Sequence, residues 1–149
     1  MEWARDGYTI STDRARIDRA AVHAFLEDSY WSPGVPREVV DRSIDESLCF
    51  GLYAPDGTQA GFARAVTDRA TCAYLADVFV VEAHRNLGLG VWLVETILGH
   101  PELQTLRRWV LFTEDAHELY ARFGFVPAGT PERYMELVRD PCELYGRPG

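Results

Sequence analysis

The chain has 149 residues, a formal net charge of −8 and 47% hydrophobic content, enough for one domain with a real core. An acidic balance without a Lys/Arg cluster excludes nucleic acid as the expected main partner, and no run approaches the roughly 18–20 apolar residues of a membrane span. The start, MEWARDGYTI, has neither the basic nor the apolar region of a signal peptide, and Cys49, Cys72 and Cys142 are widely spaced without a CxxC pair. The expectation is therefore a cytoplasmic protein with reduced thiols, no disulfide framework and no metal site.

In chain order, Tyr8–Ser11 reads as a first short strand. Asp18 is placed to cap a helix running to about Asp28, with Ala21, Val22, Phe25 and Leu26 on one face. SYWSPGVP (29–36) breaks it, and Pro36 suits the first turn of a second helix, in which Val40, Ile44 and Leu48 recur at helical spacing. The period then changes. Residues 48–67 are two β-like runs around the turn APDG, DRAT (68–71) is a second turn, and CAYLADVFVV (72–81) is the near-continuous apolar run of a central strand. A helix, Val91–Leu98, closes at Gly99; LRRWVLF (106–112) is a further strand, and DAHELYARF (115–123) a helix stopped by Gly124. GFVP restarts an extended segment, RYMELV (133–138) reads as the last strand, and a tail follows from about 139. The order β-α-α-β-β-β-α-β-α-β-β predicts a single α/β domain over 1–149 with a mixed sheet.

Between the central strand and the next helix lies HRNLGLG, His84 to Gly90. The first amides of a helix have no intrahelical partner, and Gly88 and Gly90 remove the Cβ atoms that would keep an anion away from them. Arg85 adds a charge at the loop's edge. The pattern suits a phosphate cradle, and equally an ordinary tight turn. A dinucleotide-binding loop would need a third glycine where Leu93 stands, and a P-loop would need Lys where Val91 follows Gly90.

VFVVEAHRNLGLGVWLVETIL (78–98) resembles the acetyl-CoA signature of the GNAT N-acetyltransferase superfamily, with Arg85, Gly88 and Gly90 in its defined places and Asn86 where many members carry glycine. DAHELYARFGFVP (115–127) is similar to the family's later helix and strand, and the element order matches over nearly the whole chain. The resemblance is closest to small, stand-alone bacterial members. It implies a GNAT fold and direct acetyl transfer, in a ternary complex, from acetyl-CoA to a primary amine of a small molecule or peptide. It places the pyrophosphate of CoA on the loop Asn86, Leu87, Gly88, Leu89 and Gly90, and the pantetheine arm along Phe79, Val80 and Val81. Its splayed strands would be LADVFVV and RRWVLF.

Acetyl transfer needs a neutral amine, donors for the developing oxyanion and a proton for the departing thiolate. The resemblance gives the last role to Tyr120, which would also touch CoA. Asp77 interrupts an apolar strand, where a carboxylate is costly unless paired, wet or working; it is the candidate base, with Glu46 and His117 as alternatives, and a structural hydrogen bond to a neighbouring loop is the competing reading. At Thr113 many family members have an asparagine that contacts CoA. Tyr30 and Trp31 are the candidate aromatic wall for the acceptor, or simply cap the core. A CoA-binding sensor or scaffold without chemistry, and a nucleotide-binding α/β domain, are the competing functions. The sequence leaves open whether a homodimer forms.

Overall fold

A computed structural model describes residues 1–146. Six strands form one sheet in the order β1-β2-β3-β4-β5-β6: β1 Glu2–Arg5, β2 Tyr8–Ser11, β3 Leu48–Tyr53, β4 Gln59–Thr67, β5 Cys72–Val80 and β6 Arg108–Val110. The first five pair antiparallel, each with its sequence neighbour, and β6 is parallel to β5. The crossover that a parallel pair requires is supplied by α3, Leu89–Leu98. This is the mixed α/β sheet expected.

Helices α1 (Arg19–Glu27) and α2 (Arg37–Asp45) cover one face, where Val22, Leu26, Val40 and Ile44 meet Cys49, Phe62 and Phe79 of the sheet. Asp18 caps α1 as expected, its carboxylate accepting from Ala21 N at 3.0 Å. Helix α3 covers the other face with Leu93, Val94 and Ile97 against Phe50, Leu52, Ala63 and Leu75. The sheet is thus buried on both sides, which explains why β3 is buried at every position.

The structure departs from the sequence reading at both ends of the chain. β1 is an unforeseen strand, joined to β2 by Asp6 and Gly7, both at positive φ (51° and 84°). Two such residues in a two-residue loop match the right-handed twist of the flanking strands. At the other end neither GFVP nor RYMELV pairs: among the described residues the sheet stops at β6, and residues 134–140 carry no regular structure. Strand-like side chains were present there, but a strand exists only by pairing. Helix α2 ends at Asp45, and Leu48 opens β3 instead of closing the helix. α3 begins at Leu89, two residues before the expected start, and α4 is only His117–Ala121. Within the expected tail, Pro141–Tyr145 form a short helix, α5, and residues 147–149 lie outside the described residues.

Candidate active site

β5 and β6 share only the register Cys72–Tyr74 with Arg108–Val110. β5 then runs on to Val80 while β6 has ended, so a gap opens along the later half of β5. Val81 turns its N–H toward β4, donating to Ala60 O at 2.8 Å. Successive residues of a strand alternate their polar groups between its two edges, so those of Val80 face the gap. Arg85 reaches back to this place, its Nε donating to Val80 O at 2.9 Å.

At the end of the gap lies a cavity of about 880 Å³, lined by Val80, the loop from His84 into α3, and residues 114–119 leading into α4. Gly88 is the N-cap of α3, in the left-handed region at φ 75°, and a Cβ there would meet nothing within 4 Å. A Cβ on Gly90 would approach only Leu119, at 4.0 Å. The glycines therefore do not relieve crowding within the chain. They leave bare backbone over an open cavity, at the end of a helix whose first amides lack internal partners, and that fits a phosphate group. Tyr8 holds the ring of His84 on the cavity wall, its hydroxyl 2.9 Å from Nδ1. Glu114, Asp115 and Glu118 line the opposite wall with His117.

Farther along β5, Phe62–Phe79 and Arg64–Ala76 pairing leaves Asp77 and Val78 opposite Ala63 alone. This is a bulge, and Asp77 takes φ 53° within it. The bulge brings its carboxylate to Arg64, whose Nε donates at 2.6 Å, while Trp31 Nε1 donates to the other oxygen at 2.8 Å. Arg64 is braced by Ser47 Oγ at 3.3 Å. Next to Trp31, Tyr30 packs edge-on at 4.9 Å, and its hydroxyl accepts from Glu114 N at 3.1 Å. The α1–α2 loop thus bridges from the Asp77 bulge to the loop before α4. Tyr120 lies near Tyr30 and Asp115, 8% exposed and edge-on to Phe125. Burial pushes its phenol up to about 12.

A gap between parting parallel strands, with a glycine-opened helix terminus at its end, is the arrangement the resemblance implied. The family model described as "Acetyltransferase (GNAT) family" matches residues 10–125. The chain belongs to the GNAT acetyltransferase family. A candidate GNAT acetyltransferase of Xanthomonas campestris pv. campestris, known from its crystal structure, is 45% identical, with a TM-score of 0.88 over 93% of this chain and 96% of that one. A candidate acetyltransferase of Gibberella zeae is 31% identical over 82% of this chain and 80% of its own length. A third, from Deinococcus radiodurans R1, is 25% identical with a TM-score of 0.72 over the whole of both chains.

In this GNAT chain Val80, Arg85, Asn86, Gly88, Leu89 and Gly90 line one cavity, whereas Leu87 projects outward, 60% exposed. Phe79 turns to the α1 side and stacks on Phe25 at 3.8 Å, so its side chain serves the core. Tyr30, Trp31 and Asp77 come together, and Tyr30 ties them to the loop before α4, on which Tyr120 lies. The alternative bases do not join that group: Glu46 is exposed at the end of α2, and His117 faces the cavity. Thr113 Oγ1 accepts from Ala116 N at 2.9 Å, shaping the turn into α4. Sequence reasoning missed Arg64 and the Tyr8–His84 pair. A lone cation in the apolar run GFARAV was the available signal for Arg64; the histidine's partner lies 76 residues away and left none.

Proposed function

We propose that the protein transfers an acetyl group from acetyl-CoA to a primary amine of a small molecule or peptide, in a ternary complex. The parting of β5 from β6, ending at the open amides behind Gly88, is the observation that carries this reading. In it, the amides of residues 88–90 hold the pyrophosphate, and the Val80 backbone guides the pantetheine arm once Arg85 releases its carbonyl.

The acceptor amine enters beside Trp31 and Tyr30. Asp77, held on both oxygens, keeps lone pairs free to accept from the incoming amine and takes up its proton, directly or through water. Tyr120 lies at the thiolate side. A phenol raised to about 12 stays protonated at neutral pH, whereas a thiol has a pKa of about 8.5. Full proton donation is therefore uphill, and Tyr120 acts as a hydrogen-bond donor that stabilises the departing sulfur.

The test is release of free CoA from acetyl-CoA across a panel of amines, beside calorimetry with CoA. Turnover with an amine, and CoA affinity lost in Gly88→Val, support the reading. Binding without turnover over a broad panel would make this a CoA-binding module, and absence of CoA binding would end the proposal.

A further inference from the structure

Arg85 stands between the loop behind Gly88 and the gap along β5. Its Nε donates to Val80 O at 2.9 Å, and both residues line the cavity of about 880 Å³. Val80 lies opposite Gly61 of β4, while the next residue, Val81, donates its N–H to Ala60 O. Val80 O therefore faces away from β4 and into the gap, and the Arg85 Nε that bonds it stands in the gap as well.

The rest of the guanidinium has no partner among the described residues. Arg85 makes no ion pair there, although Glu114, Asp115 and Glu118 line the same cavity and the protein carries a net charge of −8. A guanidinium is a planar fork of five donors that binds carboxylate or phosphate best through two of them at once. Here one donor rests on a neutral carbonyl. The stronger kind of partner is left to a ligand, and the open amides that suit a phosphate begin three residues on, at Gly88.

On the acetyltransferase reading of this site, we propose that Arg85 is a latch that makes the site selective for acyl carriers with a diphosphate. Without a diphosphate, Arg85 stays on Val80 O and occupies the gap where a pantetheine amide would bond that carbonyl. An anion at the amides behind Gly88 offers charged oxygens to the fork, the guanidinium turns to them, and Val80 O is released to the arm. Anion binding at the loop thus strengthens binding along β5, and by linkage the arm strengthens anion binding by the same factor. Short thioesters that carry the acetyl group but no phosphate are held off by a contact the protein makes with itself.

Calorimetry with pantetheine and inorganic phosphate reads this coupling without turnover. In the wild type, saturating phosphate should tighten pantetheine binding roughly 3–10-fold, the scale of one exposed hydrogen bond. In Arg85→Met and Arg85→Ala, pantetheine alone should bind roughly 3–10-fold tighter than it does to wild type, and phosphate should no longer improve it. Agreement between the two variants excludes a contribution from the methionine side chain itself. Arg85 is exposed, so both should keep the wild-type melt. Once an amine acceptor is in hand, kcat/KM for S-acetylpantetheine should rise in the variants while that for acetyl-CoA falls. Pantetheine affinity that is the same in wild type and variants would overturn the latch, as would wild-type binding that phosphate leaves unchanged or weakens. CoA binding without either effect removes the latch alone and leaves the acetyltransferase reading standing, whereas absence of CoA binding ends both.

Discussion

Trp31 Nε1 donates to Asp77 Oδ1 at 2.8 Å, across 46 residues of sequence, and thereby fixes the α1–α2 loop over the bulge in β5. The other oxygen is held by Arg64. A carboxylate so placed has a position set by the fold before any amine arrives.

Asp77→Asn tests what that position is for. The amide keeps the size of the side chain and loses its charge, leaving a largely buried Arg64 without a counter-ion. The expected outcome is a fall of at least about 10²-fold in kcat/KM for the amine, the scale of a lost acid–base group. CoA affinity should be little changed, and stability should fall by about 1–3 kcal/mol for the unpaired donor. Trp31→Phe removes only one of the two hydrogen bonds and should raise KM for the amine more than it lowers kcat. Wild-type kinetics in Asp77→Asn, with only a lower melting temperature, would show the carboxylate to be a strut.

Gly88 separates backbone strain from ligand exclusion. An L-residue in the left-handed region costs roughly 1–2 kcal/mol, which Gly88→Val should show as a lower melting temperature. Its side chain would project into open space, with nothing of the protein within 4 Å. Loss of one or two charge-assisted hydrogen bonds, about 1.5–3 kcal/mol each, then predicts CoA binding weakened roughly 10–10³-fold or more. Calorimetry reads this directly. Unchanged affinity would remove the phosphate cradle from the mechanism.

Three buried groups predict a loss of stability in alkali. Burial pushes the Cys49 thiol from 9.0 to about 11, and the phenols of Tyr53 and Tyr120 from 10.0 to about 12. In each case the unfolded chain gives up its proton first, so above pH 9 it binds fewer protons than the folded one and stability falls as pH rises. The contribution is complete below pH 9 and is lost between pH 9 and 12. Melting temperature should be flat in these groups' contribution from pH 7 to 8.5 and decline above it. Cys49→Ala should remove the earliest part of the decline; an unchanged profile in that variant would exclude the thiol as its source.

The sequence carried those parts of the site that are local. HRNLGLG could be read because strand, glycines and helix are contiguous, and the Asp18 cap because its partner amide is three residues away. Arg64 meets Asp77 only because the β4–β5 bulge sets them side by side, a registration that neither run announces. RYMELV illustrates the opposite error. Its side chains fit a pleated surface, but propensity describes the strand and not its partner, and among the described residues no strand pairs with it.

Tyr120 closes the thiolate side of the proposal. Its ring is part of the α3-face core, against Phe125, and burial raises its phenol. Tyr120→Phe deletes the hydroxyl and keeps the ring, so packing should survive. With the phenol raised to about 12, the lost contribution is a hydrogen bond to developing negative charge, which suggests a drop of about 10²-fold in kcat, at the low end of the range for acid–base groups. Melting temperature and CoA affinity should stay near wild type. The pH profile provides a second reading: a donor that never ionises below pH 10 leaves no alkaline limb of its own, so the wild-type and Tyr120→Phe profiles should be parallel between pH 6 and 9. Full activity in Tyr120→Phe, or a limb that vanishes with the hydroxyl, would remove this residue from the role.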